Sequence, residues 1–256
     1  MTLPFTPPPT LPEGFTLSRC TPADVPSVTE VYMDAFSNSE YTYWWGPIPA
    51  MWSWQEERIR RRFTDPKTHQ FKVVDNENGM VVAWAKWETP PGMTGLAKGF
   101  VLYNEAGEPA GPGEDDGNEG GQRVEEFGEE NARPNGSKYA MDPPEGSNSV
   151  LYQEFFNGLV EMGKKHRAGD KLVLTHLCTR HSYHGRGIGS ALLHSVLDIA
   201  DREGIPAYLE ASRVGQPLYR RLGWAVVDTL EYNRRQSDTS IPATLYIMVR
   251  HPRITG

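Results

Sequence analysis

The feature that most constrains this chain is a glycine-rich loop between a predicted strand and a predicted helix. The strand is Lys171–Thr179, the loop is His184–Gly189, and the helix runs from Ser190 to about Arg202. Glycine keeps Cβ atoms away from the backbone, and the free N–H groups at a helix N-terminus attract anions. The loop therefore predicts a phosphate-binding site in an α/β fold.

Two common phosphate loops do not match this spacing. A Walker A loop needs a lysine after its last glycine, but Ser190 follows Gly189 here. A dinucleotide-binding loop has the pattern GxGxxG on the first strand of its unit, whereas Gly185–Gly189 reads GxGxG late in the chain. The remaining candidate is a pyrophosphate loop of another kind.

Composition excludes several classes of protein. The 256 residues contain no run of 18 apolar residues, so we expect no membrane span and no membrane partner. A net charge of −7 argues against nucleic acid as the main partner. Only two cysteines occur, Cys20 and Cys178, which indicates neither a disulfide framework nor a cysteine-rich metal site. This cysteine usage suits a reducing compartment, the cytoplasm or the nucleus.

One segment differs from the rest in composition. Thr89–Ser149 has 12 acidic and 4 basic residues, so it carries −8 and leaves about +1 for the remainder. Its centre, Pro112–Gly121, has no apolar side chain to bury, which predicts a loop. A short helix is predicted at Arg123–Asn131. We interpret the segment, about 89–149, as an insertion in a single domain that spans 1–256.

The flanks of this insertion alternate between strand and helix patterns. Their order predicts a mixed α/β sheet in one domain. The first predicted helix begins at Thr21, which has the chemistry of an N-cap residue. Further helices are predicted at Glu56–Phe63, Asn148–His166 and Gln216–Leu222. Predicted strands are Phe15–Cys20, Phe71–Asp75, Met80–Trp87, Pro206–Ala211, Ala225–Leu230 and Thr244–Arg250.

Two ordered motifs resemble the GCN5-related N-acetyltransferase (GNAT) superfamily, with weaker similarity to its fungal members near Pro143–Asn148. The loop His184–Gly189 is similar to the family's [Gln/Arg]-x-x-Gly-x-[Gly/Ala] element. Tyr208–Ser212 and Gly215–Trp224 are similar to its second strand-and-helix element, and the strongest motif region is 171–250. The resemblance implies a mostly antiparallel sheet that splays between its fourth and fifth strands, with helices on both faces. It also implies acetyl-CoA as cosubstrate.

The resemblance assigns most cofactor contacts to these motifs. His184 stands where the family usually has Gln or Arg, and we expect Arg186 to supply phosphate charge instead. Among nearby arginines, Arg221 is favoured over Arg213 and Arg220 for the 3′-phosphate. The expected cofactor-binding residues are Leu177, Cys178, Thr179, His184, Gly185, Arg186, Gly187, Ile188, Gly189, Ser190, Ser212, Tyr219 and Arg221.

Three residues are candidates for the chemistry. Tyr219 matches the family's tyrosine that protonates the departing thiolate, a general-acid role. Glu210 lies in an otherwise apolar strand, where a carboxylate is costly unless it is paired or used, so it is a candidate base. His176 is a second candidate base because the usual pKa of histidine is near 6.5. A water chain without a dedicated base remains an alternative.

The acceptor is expected to be a primary amine of a small molecule, attacked directly in a ternary complex. Trp44 and Trp45 are expected to line its site, either as an aromatic cage or as plain packing. The alternatives are a protein N-terminus or lysine as acceptor, and a CoA-binding module without turnover. No metal is expected, since His176, His181 and His184 lack the spacing of a metal site. The oligomeric state stays open between monomer and homodimer.

Overall fold

A seven-stranded sheet forms the centre of this computed structural model, which describes residues 2–37, 39–110, 141–232 and 243–253. The strands are β1 (Phe15–Arg19), β2 (Thr68–Asp75), β3 (Val81–Glu88), β4 (Leu172–Thr179), β5 (Ala207–Ala211), β6 (Ala225–Tyr232) and β7 (Ala243–Arg250). Their spatial order is β1-β2-β3-β4-β5-β7-β6, and only the β4–β5 pair is parallel.

The parallel pair is also where the sheet opens. β4 and β5 are in register at only three positions, the last being Leu174 opposite Leu209, and beyond it the two strands diverge. On its other side β4 stays paired with β3 up to Thr179, with a bulge that leaves Thr175 unpaired. The predicted fold class, a mostly antiparallel sheet splayed at its fourth and fifth strands, is confirmed.

Helices cover both faces of the sheet. They are α1 (Val25–Phe36), α2 (Ile48–Arg61), α3 (Ser149–Lys165), α4 (Ile188–Arg202) and α5 (Gln216–Arg221). One apolar cluster joins α4 and α5 to one face, and a second joins α1, α2 and α3 to the other. The apolar stripe of α4 includes Leu192, Leu193 and Val196, all essentially inaccessible to solvent. Burying each such side chain stabilises the fold by about 1.5–3 kcal/mol.

Alternation along β3 shows how the two faces are divided. Ala83, Ala85 and Trp87 point towards α4, whereas Trp84 belongs to the cluster with α1 and α2. Lys86, on the same side as Trp84, is buried although it is charged. The face that carries α1–α3 therefore holds a buried cation.

One predicted helix needs correction, and the spatial order of the last two strands adds to what the sequence predicts. α2 begins at Ile48, eight residues before the predicted Glu56, because Pro49 suits the first turn of a helix and Met51 and Trp54 continue its buried stripe. The last strand, β7, lies inside the sheet between β5 and β6 and is not at its edge. A hairpin pattern predicts that β6 and β7 pair, but not which of them pairs with β5.

The insertion is described only at its two ends. Met93 and Leu96 pack into the cluster beneath α4, and Arg19 donates hydrogen bonds to the carbonyls of Leu96 and Lys98. At the other end Trp54 donates to the Asp142 carbonyl at 2.8 Å. The predicted loop 112–121 and helix 123–131 lie outside the described residues.

Among the helices of the described ranges, none is both long enough and apolar enough to cross a bilayer.

Candidate active site

A cavity of about 1020 Å³ occupies the gap between β4 and β5 and extends to both faces of the sheet. Its glycine-loop end is lined by His184, Gly185, Gly187–Ser190, Ser212–Gly215 and Leu218. Its aromatic end is lined by Tyr32, Phe36, Trp44, Trp45, Arg58, Phe155 and Phe156. Single ligand pockets reach about 1,000 Å³, so this volume has room for part of a cofactor together with a second small molecule.

The glycine-loop end is formed by backbone. Gly185 and Gly187 have φ values of +76° and +81°, which residues with a Cβ rarely adopt, and α4 begins directly afterwards at Ile188. The first N–H groups of α4 therefore lack helical acceptors and carry the positive end of the helix dipole. His184 donates from Nε2 to the Thr179 carbonyl at 2.8 Å, which ties the loop to the end of β4.

Arg186 does not line the cavity. Its guanidinium lies 4.7 Å from the centre of the Tyr183 ring and donates to the Ser182 carbonyl at 3.3 Å. The two left-handed glycines on either side turn this residue outward, so the expected phosphate charge at Arg186 is not placed at the site. Arg213 and Arg221 do line the cavity, and Arg221 is the arginine that the sequence favours.

Tyr219 reaches the cavity from α5. Its ring packs edge-on against Trp224, with centroids 5.7 Å apart, within the apolar cluster beneath α4. Burial raises the pKa of its phenol above the ordinary value, so the hydroxyl remains protonated at neutral pH. Just before α5, Ser212 lines the cavity and its Oγ accepts from the Gly215 N–H at 3.1 Å.

Glu210 is the first residue of β5 beyond the last pair with β4. It shares the face of Tyr208, opposite to that of Leu209, so its carboxylate lies on the side of α1–α3 and lines the cavity. Burial raises the pKa of this carboxyl to about 7; the Tyr208 hydroxyl opposes the rise and the Glu88 carboxylate adds to it. A carboxyl with this pKa exchanges a proton near neutral pH.

His176 also lines the cavity, but its surroundings disfavour a proton. Its ring lies over Trp84 at 5.1 Å and near Tyr32 at 5.8 Å. Burial, assisted by the positive charges of Lys86 and Arg58, lowers its pKa well below the usual value. This weakens the sequence argument for His176 as a base, which relied on the unperturbed pKa. Burial also raises the thiol pKa of Cys178, two residues further along β4, which disfavours its reactive thiolate form.

The aromatic end is built from the α1–α2 connection and from α3. Trp45 stacks on Tyr32, with centroids 6.1 Å apart and rings 16° from parallel. Trp44 is almost fully buried, and its neighbours are aromatic: Trp45, Trp54, Tyr152, Phe155 and Phe156. Both predicted tryptophans line the cavity, Trp44 as a packed support and Trp45 as a wall.

Several cavity residues were not singled out by the sequence. The helical spacing within Asn148–His166 predicts only that Phe155 and Phe156 are buried, and Arg58 lies in the predicted helix Glu56–Phe63 without a predicted role. A usable signal existed for Arg58, because Trp54 stands four residues earlier and side chains at that spacing share a helix face. The Arg58 guanidinium does lie over the Trp54 ring, 5.1 Å from its centre.

No group of three or more His, Cys, Asp and Glu side chains within the described ranges could hold a metal ion. What the cavity does bring together is a backbone anion site, a protonated phenol and a carboxyl that titrates near neutral pH. That set is suited to transferring a group from a phosphate-bearing carrier to a nucleophile that must lose a proton.

The fold and this cavity are compatible with a protein of the acetyltransferase type, and comparison with known proteins supports that class. The family model described as "Acetyltransferase (GNAT) domain" matches residues 115–239. The matched region is just under half of the chain and is similar to GNAT acetyltransferase domains, which supports the expectation of an acyltransferase enzyme.

Individual proteins are similar over different extents. A probable acyltransferase, SID5, of Ajellomyces capsulatus is 34% identical over 82 residues, which are 30% of this chain and 60% of that protein. The aligned part therefore spans less than two thirds of that relative. A crystal structure described as histone acetyltransferase HPA2 and related acetyltransferase, from Corynebacterium glutamicum, is 20% identical with a TM-score of 0.50. The alignment covers 94% of this chain and 98% of that one, and it shows a shared fold.

Proposed function

We propose that this chain is an acetyl-CoA-dependent N-acetyltransferase that acetylates a primary amine of a small molecule. The observation that carries the proposal is the single cavity through the β4–β5 gap. It connects a backbone anion site at one end with an aromatic chamber at the other, and Glu210 and Tyr219 line it between them.

The residues present fit coenzyme A. Gly185 and Gly187 hold the loop open with left-handed backbone, and a Cβ at Gly185 would meet no atom within 4 Å, so a bulky phosphate has space there. Amide groups at the start of α4 would bind the pyrophosphate, and Arg221 would supply positive charge. When bound, the cofactor supplies an activated acetyl thioester.

Backbone groups of β4 are available to the acetyl end. Beyond Leu174 this strand has no described strand partner on its β5 side, so amides in the stretch 175–179 face the gap. Hydrogen bonds from such fixed N–H groups at Leu177 or Cys178 would stabilise negative charge that develops on a carbonyl oxygen.

Glu210 is the better of the two candidate bases. An amine must be neutral to attack a thioester, and a carboxyl with a pKa of about 7 can accept its proton at physiological pH. The much lower pKa of His176 leaves that ring neutral but a weak proton acceptor. We therefore propose that Glu210 acts as the base or orients the amine. His176 packs in the wall of the chamber.

Tyr219 is the proposed acid. Its hydroxyl stays protonated because burial raises its pKa, and it lines the same cavity as the glycine loop. A proton donor placed there would neutralise the sulfur as the thiolate departs.

A small acceptor is supported by the shape of the aromatic end. The Tyr41 hydroxyl donates to the Thr244 carbonyl at 2.7 Å, which ties the α1–α2 connection to β7 across the chamber. Residues on α1, α2 and α3 line other sides of the chamber. A folded protein substrate would need a more open groove.

A screen of primary amines with acetyl-CoA tests the proposal, with released CoA and the N-acetylated product both measured. We expect turnover of at least one small amine and no comparable acetylation of proteins in the same assay. Binding of acetyl-CoA without transfer to any amine would instead support a binding module, and labelling of protein N-termini or lysines would support a protein acetyltransferase.

A further inference from the structure

Arg58 is an arginine of α2 whose guanidinium lines the aromatic end of the cavity. It lies between two rings, 5.1 Å from the centre of Trp54 and 5.5 Å from that of Phe156. Stacking on aromatic faces holds a guanidinium in place while leaving its edge N–H groups free to donate.

Within the described ranges, Arg58 forms no ion pair with a carboxylate. The two acidic groups of its neighbourhood are taken by Arg62, which lies 3.2 Å from Asp65 and 3.3 Å from Glu88. Asp65 also accepts from the Thr68 hydroxyl at 3.0 Å.

A second buried cation in the same region also lacks a carboxylate partner. Lys86 is 3% exposed and stands opposite His176 in the sheet register, and it too pairs with no carboxylate in the described part of the chain. Of these three cations, Arg62 holds the carboxylates of Asp65 and Glu88, and neither Arg58 nor Lys86 pairs with a carboxylate in the described ranges. Burial lowers the pKa values of both Arg58 and Lys86, as expected where positive charge lacks a counter-ion.

We propose that Arg58 binds a carboxylate of the acceptor, so that the substrate class is an amine that also carries a carboxylate group. The inference rests on the proposed function, because it names the acceptor of the same site. Glu210 on β5 would face the amine, and Arg58 on α2 would hold the acid.

A carboxylate suits this position better than a phosphate. A planar guanidinium matches a carboxylate through two parallel hydrogen bonds. A dianionic group would bring a second negative charge into a chamber whose other lining residues include Glu40 and Glu210. Among the residues that the structure describes, Arg58 is the one lysine or arginine that lines this end. The aromatic walls between Arg58 and Glu210 suit an acceptor whose middle part is apolar.

Matched pairs of acceptors test the inference. Aromatic α-amino acids are compared with the amines left after removal of their carboxylate, and ω-amino acids of increasing length with the corresponding alkylamines. We expect at least one amino acid to exceed its matched amine about 10- to 100-fold in kcat/KM, the range for a hydrogen bond to a charged group. Arg58→Gln should remove that preference and change the plain amine less than about 3-fold.

Two variants serve as controls. Arg58→Lys keeps a charge and should retain part of the preference, because a lysine cannot form the bidentate contact. Arg61→Gln removes an exposed arginine of the same helix that pairs with Glu57, and it should leave both acceptor types unchanged. An equal loss for the acid and the amine in Arg58→Gln, or a wild-type protein without carboxylate preference, would overturn the inference while the acetyltransferase proposal stands.

A binding measurement decides the matter even if no amine is acetylated. Tryptophan fluorescence is titrated with phenylacetate and with phenylacetamide, which differ in charge at similar size. We expect tighter binding of phenylacetate to the wild-type protein and loss of the difference in Arg58→Gln. Equal affinities would overturn the carboxylate assignment. Failure of the acetyltransferase proposal would show separately, as absence of acetyl-CoA binding or transfer.

Discussion

The two ends of the cavity are built by different means. The glycine-loop end comes from short consecutive stretches, His184–Ser190 and Ser212–Leu218, and its chemistry is backbone N–H groups. The aromatic end gathers side chains from two distant parts of the chain: α1, the α1–α2 connection and α2 within 25–61, and α3, which begins at Ser149. The first end therefore depends on local backbone conformation, whereas the second depends on how distant helices pack together.

This difference makes the two ends separable by mutation. Changes in the loop should alter cofactor affinity for every acceptor, and changes in the aromatic end should alter the choice of acceptor at constant cofactor affinity. Glu210 and Tyr219, between the ends, should affect the rate of transfer with all substrates.

The largest effect is expected at Gly187. Gly187→Asp introduces a carboxylate into the anion site, and we expect acetyl-CoA affinity measured by calorimetry to fall at least about 100-fold. Gly187→Asn is the matched control, because asparagine tolerates the left-handed φ of +81° and carries no charge. Equal and small losses in both variants would remove the phosphate-loop assignment.

Removal of the Tyr219 hydroxyl should have the next largest effect. Tyr219→Phe keeps the ring against Trp224, so the fold and acetyl-CoA affinity should change little. We expect kcat to fall about 10- to 1000-fold, as for a lost general acid. Wild-type kcat in this variant would mean that the thiolate leaves without help from this residue.

Glu210 should set the pH dependence of the rate. The base is active when deprotonated, so with a pKa of about 7 the rate should rise with pH through neutrality and level off above it. Glu210→Gln should lower kcat about 10- to 100-fold and remove that rising limb. Persistence of the same limb in the variant would assign it to another group, such as the amine itself.

The smallest effect concerns the acidic insertion. Glu114, Asp115, Asp116 and Glu119, which lie outside the described residues, are expected to attract cationic amines. Replacing them with neutral residues should lower kcat/KM for a plain amine about 2- to 3-fold at low ionic strength, and less in about 0.15 M salt. An amino acid acceptor should respond less because its net charge is zero. An unchanged kcat/KM at low salt would leave the insertion without a steering role.

The glycine-loop end could be predicted because its signals are local. Left-handed glycines, a helix start and a tyrosine on a short helix are all encoded within a few residues. The outward direction of Arg186 could not be predicted, since it depends on the φ angles of Gly185 and Gly187 and on the Tyr183 ring beside it.

The aromatic end could be predicted only in part. Trp44 and Trp45 were identified as candidates, but the cavity position of Arg58, Phe155 and Phe156 depends on how α2 and α3 pack against the sheet. Periodicity gives the buried face of a helix but does not distinguish a filled core from a cavity wall. Likewise, the sequence does not show that burial and the positive charge of Lys86 lower the pKa of His176.

The most direct test of the account is whether both ends of the cavity are occupied at once. Initial velocities measured while acetyl-CoA and the best acceptor of the amine screen are both varied will show this. The account predicts intersecting double-reciprocal lines, since transfer takes place within a ternary complex. Parallel lines, together with an acetylated form of the protein isolated before the amine is added, would contradict it.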